Sequence, residues 1–169
     1  MKPRVLIAGI GNDLCRDDGF GIVALRRLAE AGVPDGVKLY ESGIAGIGLV
    51  QELMDGYEAV VFVDAVDRGG EPGTVYLLET EVPEISDENR DQFLADMHFV
   101  VPSTALLLGK ALNVLPPRIF ILGCQPAEYG LGLGLSAPVE AAVAEAIRQL
   151  RELTATLLKE ESHVPSHTA

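Results

Sequence analysis

The sequence predicts an α/β domain built on a mostly parallel sheet that is covered on both faces. Short, continuously apolar runs, such as Val5–Ala8, Ala59–Val63 and most of Arg118–Cys124, have the composition of strands buried on both sides. Between them lie stretches with helical apolar spacing, and that alternation at short intervals is the pattern of parallel strands joined by crossovers. A chain of 169 residues with 48% hydrophobic content is one domain's length and can bury one sizeable core. The expected boundaries are a single domain over residues 1–158 and a polar tail over 159–169.

The first strand, Val5–Ala8, ends at Gly9. From Gly19 to Gly32 the residues Phe20, Ile22, Val23, Leu25 and Leu28 recur at helical spacing, with Gly32 placed as a C-cap. Val37–Glu41 follows as a second strand, then the Gly-rich turn Ser42–Gly46 and a short helix over Leu49–Leu53. Ala59–Asp64 is a strand that stays apolar until it ends on a carboxylate. The turn Gly69-Gly70-Glu71-Pro72-Gly73 leads into a strand over Thr74–Leu78. Residues 79–97 are acidic and lack strong periodicity, as a long surface segment would. Ser103–Leu112 has helical character with Ser103 as a candidate cap, and Arg118–Cys124 is a further strand. A Gly-rich loop, Gln125–Ser136, precedes a long helix from Pro138 to Leu158.

Thirteen Lys and Arg against 25 Asp and Glu leave a formal net charge of -12. That charge repels polyphosphate, so nucleic acid and anionic membrane surfaces are excluded as expected partners. No N-terminal apolar run is long enough for a signal peptide or a membrane span. The two cysteines, Cys15 and Cys124, form no CxxC pair and have no neighbour that would activate a thiolate, so the cytoplasm is the expected location.

In an open α/β sheet, ligands bind outside the carboxyl ends of the strands. Three segments offer chemistry there: Gly9–Gly19, Asp64, and the stretch around His98. Gly9-x-Gly11 after a strand suggests dinucleotide binding, but the third fingerprint position is Leu14, and Asp17 and Asp18 at a helix N-terminus would repel a pyrophosphate. Neither a Walker Gly-Lys-Ser/Thr run nor a Gly-x-Ser-x-Gly elbow occurs. Asp17 is expected to cap the helix. Asp18 is equally suited to a first-turn acid or a ligand, and Asp64 sits at the sheet rim where substrate sites are built. A lone histidine is more often structural, but His98 is the only one outside the tail, and with the two carboxylates it would make a mixed N/O donor set suited to nickel or zinc.

The ordered motifs resemble those of the nickel-iron hydrogenase maturation endopeptidases. These are Gly9-Ile10-Gly11-Asn12 followed by Asp17-Asp18-Gly19-x-Gly21, Val63-Asp64-Ala65, and His98 leading into Pro102 and a Leu-rich helix. The last is Cys124-Gln125-Pro126-x-Glu128 followed by Gly132-Leu133-Gly134-Leu135-Ser136-x-Pro138-Val139 and an Ala-rich helix. The resemblance implies a three-layer α/β/α sandwich and a metal-dependent peptidase. Such an enzyme removes a C-terminal extension from the hydrogenase large-subunit precursor after nickel insertion, with nickel supplied by the precursor. By motif match it assigns the metal contacts, and with them the catalytic roles, to Asp18, Asp64 and His98. A metal so held can polarise the scissile carbonyl or lower the pKa of a bound water. The family's Asp-Gly-Gly-Thr-x-Gly is here Glu41-Ser42-Gly43-Ile44-Ala45-Gly46, and Ile44 lacks the hydroxyl. The alternative is a non-proteolytic homologue that acts as a binding module or chaperone for a metalloprotein precursor.

Overall fold

Successive side chains along the central strands point to opposite faces, and here both faces are dry. From β1 (Val5–Ile10), Val5 and Ile7 enter one apolar cluster while Leu6, Ala8 and Ile10 enter another. β3 (Ala59–Ala65) divides Val61 and Val63 from Val60 and Phe62, and β5 (Arg118–Cys124) divides Phe120 and Leu122 from Ile119 and Ile121. This double burial explains why the strands read as unbroken apolar runs rather than as an alternation. The computed structural model describes residues 2–43, 47–81, 86, 88, 106 and 109–160.

The sheet order is β2-β1-β3-β5-β4, with β2 (Val37–Gly43) at one edge and β4 (Val75–Thr80) at the other. β1, β2, β3 and β5 run parallel, and β4 pairs antiparallel with β5. One face is covered by α1 (Phe20–Ala31) and α3 (Ala137–Glu160), through Phe20, Leu25 and Leu28 of the first and Val139, Val143 and Leu150 of the second. The other face is covered by α2 (Ile47–Leu53), through Leu49, Val50 and Leu53, together with Leu106. The result is a three-layer α/β/α arrangement with a mostly parallel sheet.

α1 lies unusually close to the strands because of Gly21. A Cβ at that position would stand 2.1 Å from the Val63 carbonyl oxygen and 2.4 Å from that of Ile10. α1 ends at Gly32, which takes φ 85.

Several boundaries differ from the sequence expectation. A 3-10 turn, Arg16–Gly19, precedes α1, so Asp17 and Asp18 belong to that turn and not to the first turn of the α-helix. β4 runs to Thr80, two residues into the acidic segment, where Glu79 pairs with Arg118 of β5. α3 runs to Glu160, two residues beyond its expected end, where Leu157 is still buried and Glu160 pairs with Arg118. Of the helix expected over residues 103–112, Leu106 and residues 109–111 are described and helical. His98, Ser103 and Ile44 lie outside the described residues.

Candidate active site

β1 and β3 are neighbours, so the loops leaving their carboxyl ends meet above the middle of the sheet. The first loop carries Asp18 and the second strand ends with Asp64. Between them stands Gly11, with φ 123, where a Cβ would lie 1.9 Å from the Asp18 carbonyl oxygen and 3.6 Å from Asp64 Oδ1. Only glycine permits this approach. The Asn12 backbone N–H donates to the Asp18 carbonyl oxygen (3.2 Å) and to Asp18 Oδ2 (3.1 Å), which fixes the first carboxylate. The Ala65 N–H donates to Asp64 Oδ1 at 2.8 Å.

Burial pushes the Asp64 carboxyl up to about 8, the nearby charge of Asp18 adds to the rise, and the Ala65 N–H opposes it. Without a cation, therefore, Asp64 is largely protonated at neutral pH. Two oxygen-donor side chains thus converge where no cationic partner of Asp64 stands among the described residues, which suits a cation with borderline or hard ligand preference. Among the described residues, no three His, Cys, Asp or Glu side chains gather to hold a metal. The structure therefore brings together Asp18 and Asp64 of the three expected residues, and the third, His98, lies outside the described residues.

The expected role of Asp17 as a helix cap is corrected. Gly19 occupies the N-cap position of α1, and no side chain caps it. The intervening 3-10 turn carries Asp17 away from the free N–H groups of the helix. Its fully buried carboxylate instead reaches the loop after β5. There it accepts hydrogen bonds from the Ala127 and Glu128 N–H groups and the Ser136 hydroxyl, each at 2.8 Å, and from the Ser136 N–H at 2.7 Å. Burial alone would raise this carboxyl, but the donors from Glu128, Ser136 and Ala127 outweigh it and hold the group below the ordinary aspartate value. Nothing local in the sequence marks a contact between residues 119 positions apart.

Gln125, which the sequence marked only as part of a motif and without a role, is a second organiser. Its Oε1 accepts from the Arg68 N–H (2.8 Å) and the Gly70 N–H (3.1 Å), and its Nε2 donates to Asp67 Oδ1 (2.8 Å). Asp67 is therefore held by Gln125, and Arg68 lies over the Tyr76 ring. Arg26 ties the first loop to the end of β2 through Asp13 (2.7 Å) and Glu41 (2.9 Å). Burial, with Asp17 nearby, pushes the Cys124 thiol up to about 12, in keeping with the expected inert role.

A family model for hydrogenase maturation proteases matches residues 23–152. The chain is 37% identical over 159 residues to the hydrogenase expression/formation protein HupD of Rhodobacter capsulatus, covering 89% of this chain and 73% of that one. The crystal structure of a hydrogenase 2 maturation peptidase from a Thaumarchaeota archaeon superimposes with a TM-score of 0.68 at 34% identity, covering 89% and 97% of the two chains. The NiFe hydrogenase maturation protease HycI of Thermococcus kodakarensis superimposes with a TM-score of 0.64 at 29% identity, covering 94% of each. With matches of this extent in sequence and in fold, the chain belongs to the hydrogenase maturation protease family.

Proposed function

We propose that this protein is a metal-dependent endopeptidase that removes the C-terminal extension of a nickel-iron hydrogenase large-subunit precursor after nickel has been inserted. The observation that carries the reading is the Asp18–Asp64 pair at the carboxyl ends of β1 and β3, with Asp64 raised to about 8 by burial and then by the charge of Asp18. Names of relatives that refer to hydrogenase maturation support the choice of precursor.

Nickel is part of the substrate in this proposal. Asp18 and Asp64 would meet it with oxygen donors, and His98 would add an imidazole to complete a mixed set. A nickel ion held there would supply Lewis-acid polarisation at the scissile bond. The chain's own contribution is placement. Asn12 orients the Asp18 carboxylate, Gly11 keeps the space between the two acids open, and the half-buried Asp64 releases its proton when a cation arrives. The net charge of -12 disfavours a nucleic-acid partner, and no helix among the described residues is long and apolar enough to cross a membrane. Both cysteines are free thiols, which suits a reducing compartment, and the proposed site of action is the cytoplasm.

Replacement of Asp18, Asp64 or His98 by Ala is expected to lower processing of nickel-loaded precursor at least about 100-fold, with the melting transition retained. Unimpaired processing by any of the three variants would remove that residue from the mechanism. Precursor binding without a change in precursor mass would identify a binding module instead.

A further inference from the structure

The loop that carries Asp18 and the Gly-rich loop after β5 run side by side as one rigid unit. The Gly132 N–H donates to the Leu14 carbonyl (2.9 Å), the Arg16 N–H to the Gly132 carbonyl (3.0 Å) and the Asp17 N–H to the Glu128 carbonyl (3.1 Å). The buried Asp17 carboxylate clamps the same pair of loops from beneath. A Cβ on Gly132 would lie 2.4 Å from Arg16 Nε, so the absence of a side chain there leaves room for Arg16.

This rigid unit presents large apolar side chains to water. Leu131 is 89% exposed, Leu133 76%, and Leu14 and Tyr129 57% each. Single exposed leucines need no explanation, but a group of them on paired loops is the signature of a surface that is covered in use. The group is continuous with the acidic site. Leu14 lies in the same loop as Asp18, and Tyr129 follows Glu128, whose N–H donates to the carboxylate of Asp17 beside Asp18. These side chains therefore flank the loop from which Asp18 is presented.

We infer that Leu14, Tyr129, Leu131 and Leu133 form a docking platform for an extended apolar segment of the precursor polypeptide next to the bond presented to Asp18 and Asp64. The inference rests on the reading that the substrate is a polypeptide processed at that site. The platform supplies affinity and register, while the carboxylates carry the chemistry, so the two roles separate kinetically.

The test is the combined variant Leu131→Ser and Leu133→Ser, assayed on nickel-loaded precursor for cleavage and, separately, for direct binding. Met54→Ser serves as the control, because Met54 is equally apolar and 62% exposed but follows α2 at the opposite end of the sheet. The double variant is expected to melt with wild type, raise KM and Kd at least about tenfold, and leave kcat within about twofold. The control is expected to change none of these. An unchanged KM and Kd in the double variant would overturn the platform, as would a wild-type protein that neither cleaves nor binds the precursor. A wild-type protein that binds but does not cleave would refute the endopeptidase reading, and the Kd ratio would still decide the platform. A wild-type dimer that the double variant converts to monomer at unchanged KM would assign the patch to a second copy of this chain and overturn the proposal. If the double variant fails to melt with wild type, Leu14→Ser gives the same readout from the partner loop.

Discussion

Asp64 is held where its ionised form is poorly solvated and faces a like charge on Asp18. Its folded-state pKa of about 8 lies above the ordinary 3.8, so between those values the folded protein holds a proton that the unfolded chain has released. The contribution of Asp64 to stability therefore falls as pH rises through that window. Asp64→Asn keeps an acceptor for the Ala65 N–H and removes the titration. It is expected to melt with wild type near pH 4 and at least ~2–4 °C higher at pH 9, as read by thermal denaturation. Equal melting temperatures at both pH values would contradict the assignment. Asp17 has the opposite sign. Its lowered pKa stabilises the fold above the ordinary carboxylate range, and that contribution is lost as pH falls through the folded value. Asp17→Ala leaves three backbone N–H groups and one hydroxyl without their acceptor and is expected to cost about 3 kcal/mol at neutral pH in urea denaturation, with Asp17→Asn milder. Asp64 stood out in the sequence because it ends an apolar strand, and Asp18 because it precedes an apolar helix in the loop after β1. The role of Asp17 did not, because its partners come from a loop that only the folded chain brings near.

At the scale of elements, the helix-to-sheet contact at Gly21 sets how closely α1 packs and therefore where the turn carrying Asp18 sits. Gly21→Ala places a methyl well inside van der Waals contact with the Val63 and Ile10 carbonyl oxygens, so either α1 moves outward or the fold weakens. A loss of about 3 kcal/mol or more in the urea midpoint analysis is expected, and a variant as stable as wild type would show that α1 can shift freely. The strands and α1 were legible because burial on both faces and a 3.6-residue period leave different marks on a sequence. The direction and position of β4 were not, since an edge strand pairing antiparallel with β5 has the same local composition as a parallel one. The 3-10 turn was hidden for a related reason. Two acids before an apolar helix have the composition of a first turn whether or not the helix has yet begun.

At the scale of the molecule, the sheet order places β1 and β3 side by side and β5 next to β3, so the three loops that build the site leave from adjacent strand ends. Asp17 and Gln125 then join those loops to one another. The site is thus preorganised at the carboxyl edge, as the proposed processing of a nickel-bearing precursor would require. The most direct check of this account is the intact mass of the hydrogenase large-subunit precursor after mixing with wild-type protein, comparing nickel-loaded with nickel-free precursor. Loss of a C-terminal peptide from the loaded precursor alone, abolished by Asp64→Asn, is the predicted result. An unchanged mass for folded, nickel-loaded precursor, or cleavage that is indifferent to nickel, would contradict it.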